Sequence, residues 1–270
     1  MAERLQIILL KPDLVLDWWG VLGAGGPLLE RQYPKARRVM VEPTPEWVDH
    51  SRAAAVRPWW SAGRWGRPAL DVCADTDALP AETQLVWANM MLHAVGDPPA
   101  LFERWHHQLA VDGFVMFSCL GPGTLRELRA LYARLGWPAP TPGFIDMHDL
   151  GDMLVGAGFS DPVMDQETLT LQWDSPVALL AELHSLGGNT APERHQGLRT
   201  PRWRERLERE LAALAGPDGK IGLSFEVAYG HAFKAATKLR AGQPTTVSLD
   251  DMRAMVRSSH GRAKGDPPLR

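Results

Sequence analysis

The sequence predicts an α/β protein built on a mostly parallel, doubly wound sheet. Short, nearly continuous apolar runs alternate with helix-like stretches, which is the pattern of buried parallel strands covered on both faces. The first two runs, 13–18 (DLVLDW) and 38–42 (RVMVE), end in or beside an acid, and a glycine-rich turn follows the first. Right-handed crossovers between parallel strands then leave few arrangements besides an open, doubly wound sheet.

The elements follow in order. GVLGAGGP and then LLERQYP read as a turn leading into a helix, and Pro43 and Pro45 lead from the second run into a helix over Glu46 to Arg57. Strands fit Ala69 to Ala74 and Gln84 to Asn89, followed by a helix from Pro98 to Ala110. Val111-Asp112-Gly113 reads as a turn before the strand Phe114 to Leu120. Thr124 to Leu135 and Met147 to Ala157 read as helices, the second bounded by Asp146 and Gly158. Pro162 to Trp173 and Ile221 to Phe233 are two late strands that suit an antiparallel hairpin at the sheet edge. The excursion between them, 174–219, holds helical stretches over Val177 to Leu186 and Arg202 to Ala215, and reads as a lid over the strand ends. One domain is therefore expected over 1–236. The polar segment 237–270, rich in Gly, Pro and Ser, is expected to be a disordered tail.

Composition narrows the classes. A content of 45% hydrophobic and 23% charged residues is that of a globular chain, and a net charge of −3 gives no reason to expect a nucleic-acid partner. No apolar run approaches the ~20 residues that span a bilayer. The apolar start, Leu5 to Leu10, lacks the length and cleavage site of a signal peptide, so a cytoplasmic protein is expected. Cys73 and Cys119 are the only cysteines, too few for a disulfide framework or a zinc site, and no ligand cluster suggests a metal.

Ligands of open α/β sheets bind at the carboxyl ends of the strands, where strand order reverses. Three segments converge there. The turn after strand one holds Gly20, Gly23, Gly25 and Gly26 shortly after Asp17, and glycines let the backbone approach a nucleotide. Glu42 ends strand two, where an acid accepts ribose hydroxyls. ADTDALP (74–80) offers Asp75 to an adenine amino group. Taken singly, the glycines also suit a plain turn and Glu42 a solvated helix entry; together and in order they favour a nucleoside-containing ligand.

The order LD, glycine turn, VEP, ADTDALP, VWANMMLHAV, GFVMFSCLGPGTLREL resembles the class I S-adenosylmethionine-dependent methyltransferases, whose fold is Rossmann-like. The stretch FIDMHDLGDMLVGAGFSDPVMDQETLTLQW, then LLAELHSLGGN and FEVAYGHAFKA, resembles more narrowly the malonyl-acyl-carrier-protein O-methyltransferases of biotin synthesis. The resemblance covers roughly 5–235. It implies S-adenosylmethionine as cofactor, with Asp17 and Gly23 at the end of strand one and Glu42 on the ribose. It places Asp75 and Thr76 beside adenine, and Asn89, Leu92 and His93 around the methyl donor. It further implies a carboxylate acceptor on acyl carrier protein, for which in-line methyl transfer needs no strong general base.

The chain departs from the family at the turn. The family pattern is close to LDxGxGxG, whereas this chain reads LDWWGVLG, so Trp19 and Val21 replace two motif glycines and Gly20, Gly23 and Gly25 would have to supply the turn in a shifted register. A non-catalytic relative, with Trp19 and Val21 filling the donor space, is the alternative. A nicotinamide-dependent oxidoreductase fits less well, because the glycine spacing is not GxGxxG.

His93 and His148 are the candidates to touch substrate, against the ordinary reading of structural histidines. The lid carries Arg199 and Arg202 among further arginines, a docking surface for an acidic carrier. The interleaved glutamates suit plain helix ion pairs equally well. Trp18-Trp19 and Trp59-Trp60 could stack on adenine or fill gaps. Trp18 and Trp19 would face opposite ways if the strand persisted through both.

Overall fold

A computed structural model of the protein describes residues 1–55 and 70–236. The expected tail and Trp59-Trp60 lie outside the described residues. Among the described residues, seven strands form one sheet: β1 (Leu14–Trp18), β2 (Arg37–Glu42), β3 (Leu70–Ala74), β4 (Thr83–Ala88), β5 (Leu109–Leu120), β6 (Ser160–Trp173) and β7 (Ile221–Phe233). Their spatial order is β3-β2-β1-β4-β5-β7-β6. The first five pair in parallel, and β7 runs antiparallel between β5 and the edge strand β6. This is the doubly wound sheet with an antiparallel carboxyl-terminal pair that the apolar runs predicted. The order reverses between β1 and β4, which opens a crevice at their carboxyl ends.

The helices are α1 (Gly20–Gly23), α2 (Gly26–Gln32), α3 (Pro45–Ala55), α4 (Pro98–Gln108), α5 (Arg126–Arg134), α6 (Met147–Gly156), α7 (Pro176–Ser185) and α8 (Pro201–Ala212). Three start in the same way. Asp97, Ser175 and Thr200 each accept a backbone N–H three residues on, and a proline follows each at the first helical position, where no N–H is needed.

Both faces of the sheet are buried over its central strands β1, β4 and β5, whereas the edge strand β6 is largely exposed. Leu16, Val41, Val86 and Phe117 pack against Phe102 and Trp105 of α4 and Leu150 and Leu154 of α6. Val15, Leu85, Trp87 and Met116 pack on the other side against Leu29 of α2 and Leu5 of an amino-terminal 3-10 turn. Phe102 and Trp105 are fully buried, each worth about 1.5–3 kcal/mol or more in apolar transfer.

The structure corrects one expectation and settles the condition on another. Val111 to Gly113 are not a free turn: β5 starts at Leu109 and runs through them, with Asp112 at φ 66° and a register shift against β4. Strand one ends at Trp18, and Trp19 turns left-handed (φ 51°), so the alternation stops. Both indoles therefore pack on the same core, the α4–α6 side, and not on opposite faces.

The β6–β7 hairpin outruns the sheet. Leu120, at the end of β5, pairs with Val227, so β7 residues 221–226 project past the carboxyl edge. On that projection Trp173, Ile221, Leu223 and Phe225 gather Leu128 and Leu131 of α5, Leu179 of α7, and Leu207 and Leu211 of α8.

Candidate active site

The crevice is lined by the turn after β1, the end of β2, and the loops after β3 and β4. Trp19 N–H donates to Val41 O (2.7 Å), and Ala24, also left-handed (φ 49°), closes α1. Between them the glycines are required by close approach. A Cβ on Gly20 would lie 2.8 Å from Asp17 Cγ, and one on Gly23 would lie 2.8 Å from Asn89 O. Asn89 Nδ2 donates to Gly23 O (2.6 Å), Ser118 Oγ donates to Asn89 Oδ1 (2.8 Å), and Met90 N–H donates to Ser118 Oγ (3.0 Å). The turn is thus tied to β4 and β5 through one amide and one hydroxyl.

Two carboxylates stand beneath this turn, Asp17 at 1% and Glu42 at 0% exposure. Glu42 Oε1 accepts from Val21 N–H (3.1 Å) and from Ser51 Oγ (2.9 Å), while Glu42 Oε2 is buried with no donor. Asp17 Oδ2 is likewise buried without a donor, and its closest cation is Arg38 Nε at 3.9 Å. Burial pushes Asp17 up to about 7, with Arg38 opposing the shift and Glu42 adding to it. Burial also raises Glu42, against the two donors on Oε1. Buried carboxylate oxygens without donors are costly, and they are what a hydroxyl-bearing ligand at the end of β2 would satisfy.

Asp75 N–H donates to Glu42 O (2.8 Å), which places the loop after β3 beside β2; Thr76 is exposed. Asp77 closes that loop by accepting Ala74 N–H (2.9 Å). His93 follows β4, and its Nδ1 accepts Leu120 N–H in a long bond (3.4 Å), so the ring proton sits on Nε2. Its edge meets Phe144, and burial holds it below the usual imidazole range.

The structure therefore brings Asp17, Gly20, Gly23, Glu42, Asp75, Asn89 and His93 to one edge. Thr76 is exposed just after Asp75. His148 is 79% exposed at the start of α6, its ring on the cap carboxylate of Asp146 (2.7 Å), which gives no observation in favour of a catalytic part. Arg199 lies over the Trp203 ring (4.5 Å) and Arg202 is exposed, both at the start of α8. Ser51, Ser118, Arg38 and Asp77 were not foreseen. Only Asp77 had a signal, since it sits two residues after Asp75 in a turn-forming stretch.

A Rossmann-like sheet in this strand order, with its glycine turn and an acid at the end of β2, defines the class I methyltransferase fold. YcgJ from Bacillus subtilis superposes with a TM-score of 0.56 at 11% identity, covering 87% of this chain and 98% of its own. A candidate methyltransferase of Bacillus halodurans does so at 0.56 and 14% identity, over the same shares. No family model matches the chain. Sequence similarity is more specific. The malonyl-[acyl-carrier protein] O-methyltransferase of Gallionella capsiferriformans is 38% identical over 243 residues, 88% of this chain and 83% of the relative. That of Laribacter hongkongensis is 35% identical over 260 residues, 95% and 85% respectively. The chain belongs to the malonyl-[acyl-carrier protein] O-methyltransferase family.

The two replaced glycines do not argue for a non-catalytic relative. Trp19 packs with Trp18 on the core, and Val21 contributes its backbone N–H, a role that any residue but proline fills.

Proposed function

We propose that this chain transfers a methyl group from S-adenosylmethionine to the free carboxylate of a malonyl group borne on acyl carrier protein. The observation that carries it is Glu42 Oε2: a buried, donor-less carboxylate oxygen at the end of β2, beside the turn that the family's motif marks. Bound there, S-adenosylmethionine would supply its methyl group as an electrophilic sulfonium. Glu42 would accept a ribose hydroxyl, with Asp17, Gly20, Gly23 and Asn89 shaping the turn side and Asp75 and Thr76 the adenine side. Glu42 is shielded in this structure, beneath a turn whose left-handed Trp19 and Ala24 cost on the order of 1–2 kcal/mol each.

His93 stays neutral at pH 7, and its Nε2–H is a donor for an acceptor carbonyl oxygen. It positions; it does not need to take a proton, because the acceptor is already ionised. His148 has no part in this reading. Arg199 and Arg202 support docking of an acidic carrier protein. Among the described residues no helix is long and apolar enough to cross a membrane. A cytoplasmic enzyme that serves biotin synthesis, as the family resemblance implies, agrees with this reading.

Calorimetric titration with S-adenosylhomocysteine tests the cofactor. Micromolar binding that weakens about 10- to 100-fold in Glu42→Ala is expected, the loss of a hydrogen bond to a charged group. Absence of binding at millimolar ligand would overturn the reading. Methyl ester formation on malonyl-carrier protein then tests the acceptor.

A further inference from the structure

We propose that Ser51 is a positioning residue that holds Glu42 ionised and turned so that Oε2 is offered to the cofactor's diol. The inference deepens the reading above and rests on Glu42 being the ribose acceptor. Ser51 is the only side-chain donor that the carboxylate has among the described residues. It sits nine residues on, in the second turn of α3, and is itself 2% exposed. Its Oγ–H and Val21 N–H both end on Oε1, at 2.9 and 3.1 Å. A carboxylate with both donors on one oxygen cannot rotate without losing them, so the second oxygen keeps a fixed direction. The asymmetry assigns the two oxygens different work: Oε1 anchors, Oε2 is free.

The donors also favour the charged form. A protonated carboxyl loses acceptor strength toward a hydroxyl, and burial drives Glu42 toward that form. The other ionisable groups that act on it are Asp17 of β1, which holds its proton up to about 7 and opposes a second negative charge only above that, with Arg38 of β2 beside Asp17, and His50 of α3, which favours ionised Glu42. Removal of the Ser51 hydroxyl leaves Val21 N–H alone on Oε1. The carboxyl then takes its proton at a higher pH, and diol binding fails earlier as pH falls.

The test is the S-adenosylhomocysteine Kd from pH 5.5 to 8.5 for the whole chain, Ser51→Ala, Ser51→Cys and Ser51→Thr. The series is repeated on Asp17→Asn and His50→Gln backgrounds, because Asp17 titrates at about 7 within this range and His50 is a charged neighbour of Glu42; a pH-dependent difference between Ser51 and its variants that persists on both belongs to Glu42. Ser51→Ala is expected to weaken binding about ten-fold near pH 6 and less at pH 8.5. Ser51→Thr restores the original profile, and Ser51→Cys, a weak donor of similar size, follows Ser51→Ala. A loss equal at every pH shows a packing role and overturns the proposal, as does an unchanged profile. Should Ser51→Ala unfold, Ser51→Cys carries the same comparison. Failure of the unaltered chain to bind at any pH defeats the cofactor reading itself, a result distinct from a Ser51 variant that binds normally.

Discussion

The crevice under α1 and the helical layer of α5, α7 and α8 adjoin the same edge of the sheet, yet they satisfy their charges in opposite ways. Beneath the turn, Asp17 Oδ2, Glu42 Oε2, Arg38 Nε and Arg38 Nη1 are all buried without hydrogen-bond partners. In the layer, the charged groups have partners: Glu127 accepts from Ser224 and Glu182 from the Trp173 indole, and others pair at the surface. Arg134 meets Glu210 at 2.7 Å and Arg204 meets Glu208 at 2.8 Å, as the interleaved arginines and glutamates suggested. The layer's buried orphan, Trp203 Nε1, is neutral. Exposed pairs contribute about 0–1 kcal/mol each, so leucine burial is what holds the layer. The crevice keeps charges that a ligand completes, and stability there is given up for recognition.

Three experiments sharpen that contrast. The largest effect belongs to the layer's core. Leu211→Ala, at a fully buried position, should lower unfolding free energy by about 2–5 kcal/mol in a urea titration. S-adenosylhomocysteine affinity should stay within about two-fold; a parallel loss of binding would show that the two regions are one cooperative unit.

Next comes the buried acid. Asp17 holds its proton up to about 7 in the folded chain, against 3.8 for an ordinary aspartate. Between those values the folded state binds more protons than the unfolded one, so stability falls as pH rises from about 4 to 7 and is level above. The fall should be on the order of 4 kcal/mol and should vanish in Asp17→Asn. Parallel pH slopes for the two proteins would show that Asp17 is ionised throughout.

The smallest effect is at the layer's surface. Arg199→Glu with Arg202→Glu should raise the KM for carrier-protein substrate several-fold, about 1 kcal/mol, and more at low salt. Cofactor affinity should not move. Unchanged kinetics would remove these residues from docking.

Much of the fold was legible because buried parallel strands write themselves as apolar runs, whereas the Ser-Pro and Thr-Pro that start α7 and α8 were passed over and those helices placed one residue late. The carboxyl edge was legible through Asp17, Glu42 and Asn89, each the last residue of a run or close after it. Ser51 and Ser118 were not. Their work depends on which neighbour a helix turn or a strand pairing brings across, Glu42 from nine residues back and Asn89 from the adjacent strand. A serine in an unremarkable context carries no periodicity that reveals this. The turn at 19–24 was legible only as two readings, a shifted register or a filled donor space, because counting glycines weighs side chains, whereas Val21 acts through its backbone.

The projecting hairpin also bears on how the chain folds. Residues 174–220 lie between its two strands, so β7 joins β6 only by closing a long loop, and it must slot between β5 and β6. Contacts of that sequence separation form late. The apolar platform for α5, α7 and α8 exists only once β7 is seated. A chain halted before Ile221 would therefore carry its parallel strands but expose the leucines of α5, α7 and α8, a species suited to chaperone capture.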